Sequence, residues 1–477
     1  MFGRPGRRGP QRITSASLTA RATTGENNPE TPVGRGTGTQ QLPLVRPRRA
    51  PRHGSHRRRR TGITLAFLAC ALVVVGATQA NGQAGTVLAD GLRAVAGPAE
   101  TAQIEGGYLA ARDDAQRALY HLGVGTPHAP WAPPTVVAGP GSAPAAGAIR
   151  STGSTPQPPA LPASSESSAT PNPSAVSATA VPSPTRAPGF AASESTPLLL
   201  PIIPRVTPAL PGEGQWSVVA AGTAPGQPLV SKTFWRPDSA RPYALVTLLA
   251  FDLRGARLGM MAGIAEPGGP LGHHGPGTIP AVDQQPGTLL AVFNGGFKEA
   301  NGGFGMMVNG RVYVPPVAGS GTVALTGDGQ VLMGVWGSDP ALSATNPNLV
   351  AWRQNGPLLI DQGAITSLTD NTAAWGQTVG SAYTWRSGIG LTSSGRLLYA
   401  AGNALSARSL AEALRAAGAV TALQLDINPY WVRAFTYAPS PSGGLAVTRL
   451  QGSMYGTGRE YLQGSARDFF YVIRRQP

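Results

Sequence analysis

The chain has 477 residues, of which 63 are Gly and 46 Pro, so a large share of its length is too rich in these residues to pack a core. Its net charge of +15 is concentrated at one end, where residues 1–60 carry 14 Arg against Glu26 and Glu30, so the basic balance says little about the ligand of the folded part. The single cysteine, Cys70, lies in an apolar run, which excludes an internal disulfide and a cysteine zinc site from everything downstream.

Residues 1–60 show no apolar periodicity and end in Arg57-Arg58-Arg59-Arg60, which reads as a disordered cytoplasmic tail. Such a block is a topology signal under the positive-inside rule and also suits anionic lipid, while nucleic acid is not the partner expected. Residues 62–80 carry no charge and come close to the roughly 20 residues that span a bilayer as a helix. With arginines on one flank only, the N-terminus is expected in the cytoplasm and the rest exported, a single-pass arrangement in the cell membrane. The rival is secretion after cleavage at Ala77-Thr78-Gln79-Ala80; lipidation at Cys70 fits less well, because the apolar run continues past it. Residues 84–122 place Leu88, Leu92 and Val95 at helical spacing, break at Pro98 and resume from Ile104 to Leu122, a short helical stalk whose role is spacing. Residues 125–212 run through Pro, Ala, Ser and Thr with few aromatics, a semi-rigid linker.

Over residues 215–477 the pattern changes to alternating apolar residues punctuated by turn dipeptides. Asn309-Gly310 sits between two strand-like runs within residues 305–314, the strongest short hairpin signal. Residues 322–325 and 331–335 flank Thr326-Gly327-Asp328-Gly329, and residues 388–391 and 397–401 flank a Ser-Ser-Gly turn, giving two more hairpins. Leu410, Ala413, Leu414 and Ala417 follow helical spacing, with Ser406 or Ser409 as cap and Gly418 as terminator, and residues 420–425 read as a buried strand ending at Asp426. Many strands with few helices predict an α+β fold, a compact, mixed, strand-rich C-terminal domain.

Several catalytic machines are absent from the sequence. Neither Lys232 nor Lys298 follows a glycine, so there is no Walker loop, and neither HExxH nor GxSxG occurs. The histidines of the domain, His273 and His274, lie in a Gly/Pro-rich loop. Among the fourteen carboxylates from Glu213 onward, Asp426 stands out, because it ends a buried strand where a side chain emerges into a crevice; the bland alternative is a turn cap. Asn294-Gly295-Gly296-Phe297 ends the strand over residues 289–293, with two glycines that admit a ligand close to the backbone and an amide that donates and accepts. Trp385-Arg386-Ser387-Gly388-Ile389-Gly390 opens a strand with an arginine suited to bidentate phosphate or carboxylate recognition, or to surface stacking on the tryptophan.

In this order and spacing, Asn294 to Phe297, the Gly305 to Gly310 hairpin, Arg386 to Gly390, Leu410 to Leu414, Gly418-Ala419 and Leu425-Asp426 resemble the phosphodiester glycosidase family over about residues 289–477. The chain departs from it after the aspartate: the family's Gly-Gly-Gly-Ser is replaced by Ile427-Asn428-Pro429-Tyr430-Trp431, a stiffer segment with fewer free amides. The usual second Phe after Asn-Gly-Gly-Phe is Lys298.

The resemblance implies a hydrolase that cleaves a sugar-1-phosphodiester or related glycosidic bond in an envelope glycan. Asp426 would be a carboxylate base or nucleophile, or stabilise an oxocarbenium-like transition state. Arg386, helped by Lys298, would neutralise the phosphate. Asn294, with Gly295, Gly296 and Asn428, would hold the substrate. Glu299 is the first choice for a second carboxylate and Asp361 the next, and Trp375, Trp385 and Trp431 are candidates to stack on sugar rings or to pack the core. No cofactor or metal site is predicted, and a divalent ion stays open. The rival readings are a polysaccharide-binding module without catalysis and a structural envelope protein on the same fold.

Overall fold

The computed structural model describes residues 98–133, 199–222, 227–375 and 383–476. The arginine-rich tail, the apolar stretch 62–80, the first part of the stalk and most of the linker lie outside the described residues. Among the described residues no helix is long and apolar enough to cross a membrane.

The stalk contains α1 (Pro98–His121), in which Pro98 is the first helical residue, where a missing N–H costs nothing. This helix is tied to the strand domain. Buried Asp113 accepts from Arg241 Nε at 2.9 Å and from the Tyr243 hydroxyl at 2.7 Å, more than a hundred residues away.

Among the described residues eighteen strands form three sheets, and every pairing between these strands is antiparallel. The eight-stranded sheet runs β1 (Ser217–Ala221), β2 (Pro228–Trp235), β3 (Val246–Asp252), β14 (Arg396–Leu405), β13 (Thr384–Thr392), β15 (Ala419–Ile427), β11 (Leu358–Asp361) and β12 (Ala364–Ile365). One five-stranded sheet runs β7 (Arg311–Val314), β6 (Met306–Val308), β10 (Leu349–Gln354), β8 (Gly321–Thr326) and β9 (Val331–Val335). The other runs β17 (Leu445–Arg449), β16 (Ala434–Pro439), β5 (Leu289–Asn294), β18 (Phe469–Arg474) and β4 (Ala256–Met261). Besides short 3-10 turns, the described residues hold two further helices, α2 (Ala407–Ala416) and the single turn α3 (Glu460–Gln463), so the domain is strand-rich with few helices.

Period-2 alternation explains the layering. On β13, Trp385 and Ile389 face a core shared by all three sheets, together with Phe251, Tyr399 and Leu423 from the large sheet, Phe293 and Phe470 from one small sheet and Val308 and Val323 from the other. The opposite face of β13 carries Gly388, where an added Cβ would meet Leu414 Cδ1 at 3.1 Å and Leu410 Cδ2 at 3.2 Å. The glycine lets α2 lie close against the sheet and bury both leucines, about 2 kcal/mol each. Ser406 caps α2 and Ser409 completes a capping box with it, while Gly418 takes a left-handed φ of 98° just past the end.

The expected hairpins are β6–β7, β8–β9 and β13–β14. In the first, Asn309 and Gly310 adopt φ of 50° and 73°, the type I′ geometry that matches the twist of the flanking strands. From α2 the chain passes directly into β15, which ends just beyond Asp426.

Candidate active site

The ends of β5 and β15 and the start of β18 meet where the large sheet adjoins a small one. Asn294, the last residue of β5, lies opposite Phe469, the first of β18. Its Oδ1 accepts from the Tyr399 hydroxyl at 2.9 Å and from the Arg433 N–H at 3.2 Å, and its Nδ2 donates to Ser387 Oγ at 2.9 Å and to the Gly295 carbonyl at 3.0 Å. A side-chain amide has two donor and two acceptor positions, so all four are taken. Asn294 thus joins the two sheets, and Ser387 extends the link by donating to the Asp426 carbonyl at 2.7 Å.

The two glycines after Asn294 admit protein groups. A Cβ on Gly295 would lie 2.1 Å from Asp468 Oδ2, and one on Gly296 2.8 Å from Arg353 Cζ. Through that space Asp468 Oδ2 accepts from the Gly296 N–H at 3.1 Å and from Arg353 Nε at 2.9 Å. Arg353 is fully buried and also donates to the carbonyls of Gln354 at 2.8 Å, Phe304 at 3.2 Å and Phe297. Asn355 braces the same turn, accepting from the Phe297 N–H at 2.9 Å and donating to the Gln424 carbonyl at 2.8 Å.

Asp426 follows from this frame. Its N–H donates to the Gly295 carbonyl, its Oδ1 accepts from the Ile427 N–H at 2.9 Å, and its Oδ2 accepts from Arg467 Nη2 at 2.6 Å. Burial pushes its pKa up to about 6; Arg467 pulls it down, and the charge of neighbouring Asp468 pushes it up again. A cation so close would by itself favour the carboxylate, and desolvation outweighs it. Arg467 also donates to the Gly296 carbonyl at 3.0 Å and lies 4.8 Å from the ring centroid of half-buried Trp431, against which Arg433 lies at 5.5 Å. On another side Leu109 of α1 packs against Phe297 and Ile427.

The other expected site residues make different contacts. Arg386 is on the face of β13 that α2 covers, opposite Ser387, and donates to the Leu405 carbonyl at 2.9 Å and Gln424 Oε1 at 2.6 Å; burial lowers its pKa to about 10. It braces the helix side of the sheet, away from Asn294. Lys298 pairs loosely with Glu266 at 3.8 Å. Glu299 opens a short 3-10 turn beside Gly269, in the loop after β4. Asp361 is exposed at the end of β11, before the turn in which the Gly363 N–H donates to the Val420 carbonyl, about 20 Å along β15 from Asp426 at the usual rise per residue. Asn428, at φ 90°, accepts from the Tyr430 N–H at 2.8 Å, so its side chain shapes the turn after β15. Trp375 and Trp385 are core residues, leaving Trp431 as the tryptophan at the site. The carboxylate that does adjoin Asp426 is Asp468, and the cation is Arg467. Among the described residues no group of three or more His, Cys, Asp or Glu is placed to hold a metal.

The site thus joins a buried carboxyl with a raised pKa to a guanidinium where antiparallel sheets meet. Residues 287–426 match the model of the phosphodiester glycosidase family, a match that ends on Asp426. Among solved structures, the chain is similar to the catalytic domain of zebrafish N-acetylglucosamine-1-phosphodiester alpha-N-acetylglucosaminidase auto-inhibited by its pro-peptide, at 15% identity over 55% of this chain and 88% of that one, TM-score 0.34. It is also similar to a hypothetical protein from Synechocystis, at 15% identity over 49% of this chain and 59% of that one, TM-score 0.29. A putative exported protein from Burkholderia pseudomallei K96243 aligns at 10% identity over 49% of this chain and 74% of that one, TM-score 0.24. No curated protein sequence matches the chain.

Proposed function

We propose that the domain is a hydrolase that breaks the bond between a sugar's anomeric carbon and a phosphate oxygen in a sugar 1-phosphodiester, with Asp426 as its acid–base group. The observation that carries this reading is the Asp426 carboxyl, buried, held near pKa 6 and paired with Arg467 at the strand ends. At neutral pH such a group moves between its two protonation states at little cost. It gives a proton to the departing phosphate oxygen as the carbon–oxygen bond breaks and takes one from the water that adds to the anomeric carbon. Sugar and phosphate monoester leave, and the carboxyl is restored. Developing positive charge at the anomeric carbon is stabilised by the same group once it is ionised.

Asn294 and the two glycines support this reading as a frame, since their bonding capacity is spent on holding the β5 and β15 ends together. We further propose that residues 62–80 anchor the domain at the outer face of a cell membrane, with an envelope glycoconjugate as substrate; the one-sided arginine block supports that orientation. Incubating the full-length protein with a panel of sugar 1-phosphodiesters and measuring free reducing sugar tests the activity. Release from at least one member is expected, and a folded protein that releases none contradicts it.

A further inference from the structure

Arg467 lies beyond the segment that matches the family model, in the loop that leads into β18. Its Nη2 serves both Asp426 Oδ2 and the Gly296 carbonyl. Its Nε is buried and has no acceptor among the described residues. The side chains of Arg467 and Asp426 are 10% and 9% exposed, so the pair meets solvent along one edge, and Trp431 backs the guanidinium from the side. An arginine stacked on an aromatic, with a donor to spare and a carboxylate as its charged partner, is arranged to take a different anion.

We propose that Arg467 is the anion-binding residue of this site and that it exchanges partners: an anionic oxygen of the ligand takes the guanidinium, and Asp426 takes up a proton from solvent as it is released. The proposal rests on the reading of the site as one for a phosphate-bearing substrate. Its chemistry is an exchange of one ion pair for another, in which the charge lost from the carboxylate is replaced by that of the ligand and one proton enters from water.

Arg467 is the main support of the Asp426 charge, ahead of the Ile427 N–H on Oδ1. Besides Arg467 it faces Asp468, whose negative charge opposes ionisation, and Arg353, already bound to Asp468. Tyr399, whose pKa burial raises well above its usual value, is neutral at these pH values, as is Tyr461. Arg433, the other guanidinium against Trp431, is paired with Glu460 at 3.3 Å. A buried carboxylate deprived of its cation takes a proton. When the anion is a substrate phosphate, binding itself places the proton on the group that must deliver it.

Sulfate is the probe, because it does not titrate between about pH 5.5 and 8. Binding to the full-length protein is measured by calorimetry in two buffers of different ionisation enthalpy, in about 0.15 M chloride to screen the arginine tail. The parent should bind with uptake of up to about one proton near pH 7, and its affinity should fall by as much as about tenfold per pH unit above the pKa of Asp426. Asp426→Asn should bind with no proton uptake and little dependence on pH. Arg467→Gln should lose the site, and Arg467→Lys, which keeps the charge, should retain weaker binding and so report that the fold survives.

Sulfate binding without proton uptake in the parent, equal binding by parent, Arg467→Gln and Arg467→Lys, or no saturable site in the parent would overturn the proposal. Proton-linked binding without hydrolysis of any sugar 1-phosphodiester would leave the exchange standing and remove the enzymatic reading. Hydrolysis with no proton-linked binding would do the reverse.

Discussion

Replacing Arg353 by Met tests whether the Asn294 turn is held by a buried ion pair. The substitution keeps the apolar stem of the fully buried side chain but removes the donors to Asp468 Oδ2 and to the carbonyls of Phe297, Phe304 and Gln354. Asp468 would keep the Gly296 N–H on Oδ2, and its Oδ1 is buried with no partner among the described residues. Removing one partner of such a pair costs about 3–5 kcal/mol, a large part of the roughly 5–15 kcal/mol that stabilises a domain. Arg353→Met with Asp468→Asn should cost less than the sum of the single changes by about 2 kcal/mol, because the second removes the charge that the first strands. Urea unfolding followed by tryptophan fluorescence measures all three. A loss below about 1 kcal/mol for Arg353→Met, or strict additivity, would refute the role assigned to the pair.

Gly295→Ala should cost at least about 3 kcal/mol in the same assay, since the methyl would fall 2.1 Å from Asp468 Oδ2 and 2.8 Å from the Asp468 carbonyl oxygen; near-parental stability would mean the turn is not confined. Arg386→Lys should lower the melting temperature through its contacts with Leu405 and Gln424 while leaving KM for a phosphodiester within about twofold; a selective rise in KM would return Arg386 to the substrate site. Asp426 has a folded pKa of about 6, above its unfolded value, so the folded state binds more protons between the two. Stability should therefore fall as pH rises through about 4 to 6, with a slope of up to about 1.4 kcal/mol per unit from this group. Asp426→Asn should flatten that slope, and an unchanged profile in denaturation curves taken across the window would contradict the assignment.

Local chemistry made part of this structure legible. Asn309-Gly310 specifies its own turn, α2 announces itself through spacing and serine caps, and Asp426 is marked by the buried strand it ends. The position of Arg386 was also readable: it shares a face with Gly388 and Gly390, and glycines repeated at that period signal a close backbone or helix approach rather than a ligand cleft. Glu299 follows the Asn294 turn closely in sequence, yet the contact recorded for its side chain is with the loop at Gly269.

Arg467 and Asp468 carry no local signal, because an adjacent pair of opposite charges before a strand is ordinary. Their importance comes from the pairing of β18 with β5, which sets Gly296 and Asp468 in contact across 172 residues of chain. The saturation of Asn294 is likewise visible only once Ser387, Tyr399 and Arg433 arrive from three separate segments. The glycines after it, expected to admit a ligand, have Asp468 and Arg353 against them.

Whether Asp426 performs acid–base chemistry at the anomeric centre is decided by the rate of reducing-sugar release from a sugar 1-phosphodiester by the parent and Asp426→Asn side by side. Near pH 6, where ionised Asp426 competes little for Arg467, the parent should turn over, and Asp426→Asn should lose on the order of 10²-fold or more in kcat with KM little changed, as befits a proton-transfer group that acts mainly in the transition state. Equal rates for the two proteins, or no release by the folded parent, would contradict the account.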